Sequence, residues 1–417
     1  MSTHCRKLPP ELIGETLNFV SPGDIPTLLA SALVCQDWLV ESRQIIFRHI
    51  NIDCQTTLHL LVSRVLPSHH LRFALTVTHK LSLSFKDSVV DQAEVLKLVE
   101  CLPNLHTLDL DGCPSEVPGA DLSPAHRPLT SLRKLVIQDA TPQYLGRIPV
   151  LFPFLDSLTL CASHGHNLWD WLVVPGSMHS DLTQPSLSHL AVATPFSGVF
   201  FWLAGTPTRQ AVKDLTIDIR NVEAYLGFMG GTPNLSTLTL YIPDVQLGLE
   251  NSLEAWVADA RMLLSRLADA EPLHFNITFD FFSVWPHFRS LFALLQAVGR
   301  VHRIRLMFNF TIRRWPSRHG EEGGVFGTGL CELDSVLADK RFQSTQSVEL
   351  VACCPWLDQN LPEEYNRLCV WMERELPKLC RRGIVKAYVY DRRRVLSATG
   401  FIEHTGAPDF PRREVVF

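Results

Sequence analysis

A loose apolar figure, L-x-x-L-x-L, returns along the first half of the chain and constrains its fold more than any other feature. It reads Thr78-x-x-Leu81-x-Leu83, Leu105-x-x-Leu108-x-Leu110, Leu132-x-x-Leu135-x-Ile137 and Leu155-x-x-Leu158-x-Leu160, then Leu187-x-x-Leu190-x-Val192, Val212-x-x-Leu215-x-Ile217 and Leu235-x-x-Leu238-x-Leu240. The final positions, 83, 110, 137, 160, 192, 217 and 240, differ by 27, 27, 23, 32, 25 and 23 residues. Each figure predicts a short strand whose alternate side chains point to one side. A single strand cannot bury that side alone, whereas strands stacked in parallel share one core and satisfy each other's backbone groups. The intervals lie in or near the ~20–29 residue range of leucine-rich repeats.

Ahead of the repeats, residues 8 to 50 read as three short helices. The first opens on Pro9-Pro10-Glu11, with prolines where a helix tolerates a missing N–H and an acid at its positive end. Leu12, Ile13, Thr16, Leu17 and Val20 recur at helical spacing, and Ser21-Pro22-Gly23 is the expected stop. Asp24 suits the N-cap of a second helix carrying Ile25, Leu28, Leu29, Ala32 and Leu33. A third begins near Cys35 and carries Trp38, Leu39, Ile45, Ile46 and Phe47. A unit of ~40 residues has little interior, so part of this apolar surface needs another cover.

The segments Leu8-Pro9-Pro10-Glu11-Leu12-Ile13, Ala32-Leu33-Val34-Cys35-Gln36-Asp37-Trp38 and Ile46-Phe47-Arg48-His49-Ile50 together resemble an F-box, in the form common in large fungal F-box families. The likeness covers about a tenth of the chain. It implies that an apolar face docks on a Skp-type adaptor, which links the protein to a cullin–RING ubiquitin ligase. Carried over residue by residue, the adaptor-binding positions are Leu8, Pro9, Leu12, Ile13, Val34, Cys35 and Trp38. The alternative is that these side chains pack on the chain's own next segment. Several repeats open on a proline turn, as in Leu102-Pro103-Asn104-Leu105, Phe152-Pro153-Phe154-Leu155, Gln184-Pro185-Ser186-Leu187 and Thr232-Pro233-Asn234-Leu235. This is similar to the lead-in of F-box proteins that carry leucine-rich repeats. The chain departs from the standard repeat in lacking a regular Asn or Cys shortly after the last leucine.

Composition narrows the classes. Lys+Arg 38 against Asp+Glu 43 gives a net charge of −5, which speaks against a nucleic-acid binder working through bulk charge. Hydrophobic residues at 46% and charged ones at 19% predict packed globular structure over most of the length. No apolar run approaches the ~18 residues of a membrane span, and MSTHCRKLPPEL lacks the apolar core of a signal peptide. The expected setting is cytoplasmic or nuclear, with no membrane partner. Eleven cysteines without regular spacing predict reduced, mostly buried thiols.

Past residue 250 the units lengthen into helix–strand pairs. Trp256, Ala260, Leu263, Leu264 and Leu267 form a helical stripe before a strand over His274–Phe282. Phe288, Leu291, Phe292, Leu295 and Val298 form another, ended by Gly299, before a strand over His302–Phe310. Leu330–Lys340 precedes Ser347–Ala352. Pro362–Arg381, kinked or shortened at Pro377 and ended by Gly383, precedes Ile384–Tyr390. The expected organisation is an F-box over 1–50, irregular leucine-rich repeats over 51–250, a helix-richer continuation over 251–391 and a tail from Arg392 to the end. A separate α/β domain starting near 250 is the alternative. Asp111–Pro128 and the glycine-rich Trp315–Gly329 read as surface excursions.

Chemical motifs are thin. Gly324-x-x-Gly327-x-Gly329 has no Gly-Lys-Ser/Thr and reads as a flexible loop rather than a phosphate cradle. Cys161-x-x-His164-x-His166 has ligand types for zinc but lacks a fourth ligand close by, His179 lying thirteen residues on. Cys369 and Cys380 read as helix-face core residues. No metal, cofactor or enzyme activity is expected. Arg381-Arg382 and Arg392–Arg394 read as solvated charge, and Trp169 and Trp171 as packing residues.

If the leucine pairs point inward, their alternating neighbours line the other face of the curved sheet. The target-binding candidates there are Thr107, Asp109, Asp111, Lys134, Gln138, His189, Asp214, Asp218 and Tyr241, on a small, polar, mildly acidic surface. The fold expected is α/β: a three-helix F-box followed by a leucine-rich-repeat-like solenoid with a curved parallel sheet. The resemblance implies a substrate-recognition subunit of a Skp–cullin–F-box ligase that presents an unknown protein substrate and performs no bond chemistry. A non-ligase repeat scaffold, its helices serving only as an end cap, is the rival reading.

Overall fold

A carbonyl just ahead of each strand ties one coil to the next, and the fold follows from that repeated contact. The structure, a computed structural model, describes residues 8–20, 24–84, 92–111, 129–138, 152–161, 186–192, 199–200, 203, 207–229, 234–242, 250–267, 273–280, 292–297, 301–309, 331–354, 370, 373–391 and 415–416. The expected excursions over 112–128 and 315–329, the Gly324 loop, Trp169 and Trp171, and Arg392–Arg394 lie outside them. The chain divides into two units, residues 1–156 with 179–183 and residues 157–178 with 184–417.

In the first unit three helices, α1 (Pro10–Asn18), α2 (Ile25–Ala32) and α3 (Gln36–Arg48), lead directly into β1 (His49–Ile52). Pro10 stands at the start of α1, where no intrahelical donor is lost, and the Asp24 side chain accepts from the Thr27 amide as the N-cap of α2. Ile13, Leu17 and Leu28 form a small core on which Val20, Trp38, Ile45 and Ile46 pack. Gly14 lets α1 come close to α3, since a Cβ there would lie 3.2 Å from Glu41 Oε2. Then follow α4 (Gln55–Leu60), α5 (His69–Ala74), β2 (Lys80–Ser84), α6 (Gln92–Glu100), β3 (Thr107–Asp111) and β4 (Lys134–Gln138). α4 runs on into a π-helical turn, Leu61–Val65. β1 to β4 pair in sequence order, all in parallel.

Leu81, Leu108 and Leu135 stand in one register line, and Leu83, Leu110 and Ile137 in the next, all buried. The lead-in residues Thr78, Leu105 and Leu132 are buried too. Between coils the His79 carbonyl accepts from the amides of both His106 and Thr107, and the His106 carbonyl from both Arg133 and Lys134. The Arg48 carbonyl starts this column and the Asp156 amide ends it. Asn104 of the Pro103-Asn104-Leu105 turn donates to the Thr76 carbonyl at 2.7 Å, and Asn234 of the matching turn donates to the Gln210 carbonyl at 3.0 Å. The asparagine missing after the leucines is thus found before them, bridging to the previous coil.

The second unit repeats the pattern with β5 (Ser157–Cys161), β6 (His189–Val192), α7 (Thr208–Ala211), β7 (Asp214–Asp218), α8 (Val222–Met229), β8 (Thr237–Ile242), α9 (Glu250–Leu267), β9 (Leu273–Asp280), β10 (Val301–Asn309), β11 (Ser347–Cys354), α10 (Pro377–Arg381) and β12 (Val385–Asp391). β5 to β12 pair in order and in parallel, and β13 (Val415–Val416) adds an antiparallel edge to β12. β8 pairs with β9 across residue 250 without a break. Thr208, at 0% exposure, accepts the Leu187 amide on its hydroxyl, so a side chain closes this coil. Phe200 and Tyr225, both buried, meet edge to face, ring centroids 5.5 Å apart.

Of the helix expected over Pro362–Arg381, kinked or shortened at Pro377, the described part breaks just before that proline. Residues 373–375 are helical, Leu376 leaves the helix (φ −120°, ψ 48°), and Pro377 starts α10 at its first position. α10 has no cap from Leu376. Instead the buried Asp334 carboxylate, from helical residues 331–337, accepts the Lys378 and Leu379 amides. Gly383, at φ 66°, follows the end of α10 as expected. Arg382 closes the same region by donating to the carbonyls of Leu337 and Phe342. The fold is therefore α/β with parallel sheet strands and helical or irregular crossovers. Leu135→Ala is expected to cost about 2–5 kcal/mol and Asn104→Ala about 0.5–1.5 kcal/mol, read from urea unfolding by circular dichroism.

Candidate functional site

Exposed apolar surface is concentrated at the N-terminal helices. Of fourteen exposed large hydrophobic residues among those described, eight fall between residues 8 and 40: Leu8, Leu12, Phe19, Ile25, Leu29, Leu33, Val34 and Val40. So dense a grouping is not the scatter of single apolar residues that any surface shows. Helical geometry accounts for it. On α1 the Leu12 and Phe19 positions fall on one face, with Ile13 and Leu17 on the other. On α2, Leu28 is turned inward at 0% exposure while Ile25, Leu29 and Leu33, spaced four apart, run along the solvent side. Leu33 is 87% exposed and Phe19 92%.

Of the adaptor-binding candidates, Leu8, Pro9, Leu12, Val34 and Cys35 are exposed and Trp38 is half-buried against the helical core. Ile13 is a correction: at 2% exposure it belongs to the core with Leu17 and Leu28, about 100° round α1 from the exposed Leu12. Leu29, Leu33, Ile25 and Phe19 complete the surface and were not singled out by the resemblance. Their signal in the sequence is an apolar set on the second helix too wide for one buried stripe.

On the sheet face opposite the leucine lines, Thr107, Asp111, Lys134, Asp214 and Tyr241 are half-buried and His189 is exposed. Asp109, Gln138 and Asp218 are corrections, being buried at 3%, 5% and 0% exposure. Side chains on adjacent parallel strands stand only ~4.8 Å apart, so Asp109, in the middle of β3, is walled in by its neighbours on β2 and β4. Asp218 is occupied as well: it accepts from Nε and the backbone amide of Arg220, and its second oxygen pairs with the same guanidinium. Burial acts to lower the Arg220 pKa, but the hydrogen bond and charge of Asp218, aided by Tyr241, carry it above its ordinary value. Asp111 accepts from Ser84 at 3.0 Å, and Asp214 is tied to His189 (2.6 Å) and Ser236 (3.3 Å).

The first unit holds a second feature. The two positions between the lead-in residue and the first strand leucine are Arg48 and His49, His79 and Lys80, His106 and Thr107, Arg133 and Lys134. Register places them side by side at the N-terminal ends of β1 to β4. The signal was present as basic residues recurring at one phase of the repeat.

Among the described residues no group of three or more His, Cys, Asp or Glu is placed to hold a metal ion, and no helix is long and apolar enough to cross a membrane. Cys161 is buried, while His164, His166, His179 and Cys369 lie outside the described residues. Cys380 is half-buried, and burial, with the charges of Glu373 and Asp334, pushes its thiol up to about 11. Cys331 is raised in the same direction by burial and by its hydrogen bond to Glu375. Neither is a poised nucleophile.

Compared with protein-family models and with curated protein sequences, the chain matches none. Its function is read from its own residues.

Asp218→Ala is expected to cost about 3 kcal/mol in urea unfolding, since it strands a guanidinium that is largely buried, and Asp218→Ala/Arg220→Met should recover part of the loss.

Proposed function

We propose that the chain is a substrate-recognition subunit of a Skp–cullin–F-box ubiquitin ligase, with α1 to α3 engaging a Skp-type adaptor and the repeat strands presenting a target protein. The observation that carries the reading is the exposed apolar surface of Leu12, Phe19, Leu29, Leu33 and Val34, on the same short stretch whose motifs resemble an F-box. Burying one such side chain is worth about 1.5–3 kcal/mol, so leaving this set in water is costly unless a partner covers it. The mechanism is proximity. A target held beside a charged conjugating enzyme presents its lysines at raised effective concentration, and the chain itself makes and breaks no bonds. No cofactor or metal enters.

The scaffold reading draws on one observation, the passage of α3 straight into β1, which gives the helices a capping place at the start of the strands. A cap, however, needs a polar outer side, and α2 carries an apolar one.

Co-purification with a Skp-type adaptor tests the proposal. Wild type is expected to capture adaptor, and Leu12→Asp/Leu33→Asp to lose capture by tenfold or more with an unchanged melting curve, since both side chains already face solvent. Equal capture by the two proteins, or none by wild type, would overturn it.

A further inference from the structure

The last parallel strand of the second unit, β12, presents an edge that is well formed and barely covered. It is seven residues long and matches β11 one to one, Val348–Cys354 against Val385–Asp391, with no shift of register. Val385, Tyr388, Val389 and Tyr390 are strong strand formers, and the stretch holds no proline and one charge near each end, Lys386 and Asp391. Bulges, prolines and clustered charge are the usual devices that blunt an open edge, and β12 has few of them.

The strand is fixed from its entry onward. The Asp334 carboxylate accepts the Lys378 and Leu379 amides, Arg382 donates to the Leu337 and Phe342 carbonyls, and the Val348 amide donates to the Ile384 carbonyl at 2.8 Å. A strand held in this way loses little freedom when another is laid along it.

The cover is slight. β13 is two residues, Val415 and Val416, running antiparallel against Ala387 and Lys386. Among the described residues no strand pairs with Tyr388 to Asp391 on that side. Nor is β13 forced into place by a hairpin turn: 23 residues, 392 to 414, separate it from β12, where a tight antiparallel connection takes about two to five. So short a strand is marginal by itself, and its hold comes from the effective concentration of a tethered segment, on the order of millimolar at best. A longer segment making main-chain pairs along the whole of β12 outcompetes it.

We propose that the outer edge of β12 is a strand-acceptor site for an extended segment of another protein, which pairs antiparallel along Val385–Asp391 and displaces β13. The strand already seated there states the chemistry: an extended stretch with adjacent β-branched residues, recognised through its main chain. The inference rests on the reading that the repeat strands present a target protein, and it names how such a target is held.

Fluorescence anisotropy with the full chain and a labelled peptide of residues 412–417, Arg-Arg-Glu-Val-Val-Phe, tests it. The variant Val415→Pro/Val416→Pro removes both amide donors of β13 and leaves β12 untouched. The peptide is expected to bind this variant about tenfold or more tighter than wild type, where β13 competes. The same peptide N-methylated at both valines should bind neither, and hydrogen exchange in the complex should slow over 385–391. Equal binding to the two chains, no binding to the variant, binding that survives N-methylation, or protection confined to other residues would each overturn the proposal. Light scattering reads the other occupant: a wild-type dimer that becomes monomeric in the variant would assign the edge to β13 of a second copy and overturn it too. If the variant fails to fold by circular dichroism, wild type with millimolar peptide decides, through slowed exchange over 385–391 and its loss on N-methylation. Adaptor capture separates the two readings: no capture with peptide binding intact sinks the ligase assignment alone, and intact capture without peptide binding sinks the strand-acceptor edge alone.

Discussion

The carbonyl ahead of a strand, which at His79, His106, Ser188 and Lys213 accepts two amides from the coil that follows, is the contact on which the rest depends. Parallel strands cannot be joined by a tight hairpin, so every one must be reached by a crossover that ends in the right register. A slip of one residue would turn Leu108 and Leu110 to solvent and bring Asp109 inward. The double acceptors His79, His106, Ser188 and Lys213 fix the register before the strand begins. Buried leucines then reward it, Leu81 beside Leu108 beside Leu135. Asn104, Asn234 and Arg133 add side-chain bonds to the same turns, each bridging to a backbone carbonyl of a neighbouring coil.

Such stacking leaves two kinds of surface for other work. One is set by what the coils cannot absorb: α1 to α3 bury Ile13, Leu17 and Leu28 among themselves, but so small a unit has no interior left for Leu29, Leu33 or Phe19. The other is set by what the repeat aligns. Any residue type recurring at one phase becomes a column, and in β1 to β4 the phase ahead of the first leucine is basic.

Much of the fold was legible because the apolar period is simple. The lead-in and paired leucines from Leu105 to Leu240 are buried in the order the figure requires, and the stripe over Trp256–Leu267 is the helix Glu250–Leu267. What escaped the sequence depends on neighbours distant along the chain. Asp109 looks solvent-facing by alternation alone, yet β2 and β4 pair with β3 on either side of it, and Gln138 is buried as well. Asp218 looks like a free acid until Arg220 is seen folded back onto it. Pro377 reads as a kink or a shortening, and that a new helix starts there rests on Asp334, 44 residues before the Lys378 amide it accepts. At the candidate site the F-box-like motifs fall on the stretch where the exposed apolar residues lie, but they did not separate exposed Leu12 from buried Ile13, about 100° apart around α1.

The central claim is that the N-terminal helices keep an apolar face open for a second protein. Hydrogen–deuterium exchange of the full chain, with and without a purified Skp-type adaptor, reads that face directly. Slowed exchange confined to residues 10–40, with β5 to β12 unaffected, is the result expected. Unchanged exchange over 10–40 at saturating adaptor, or protection appearing only elsewhere, would contradict it.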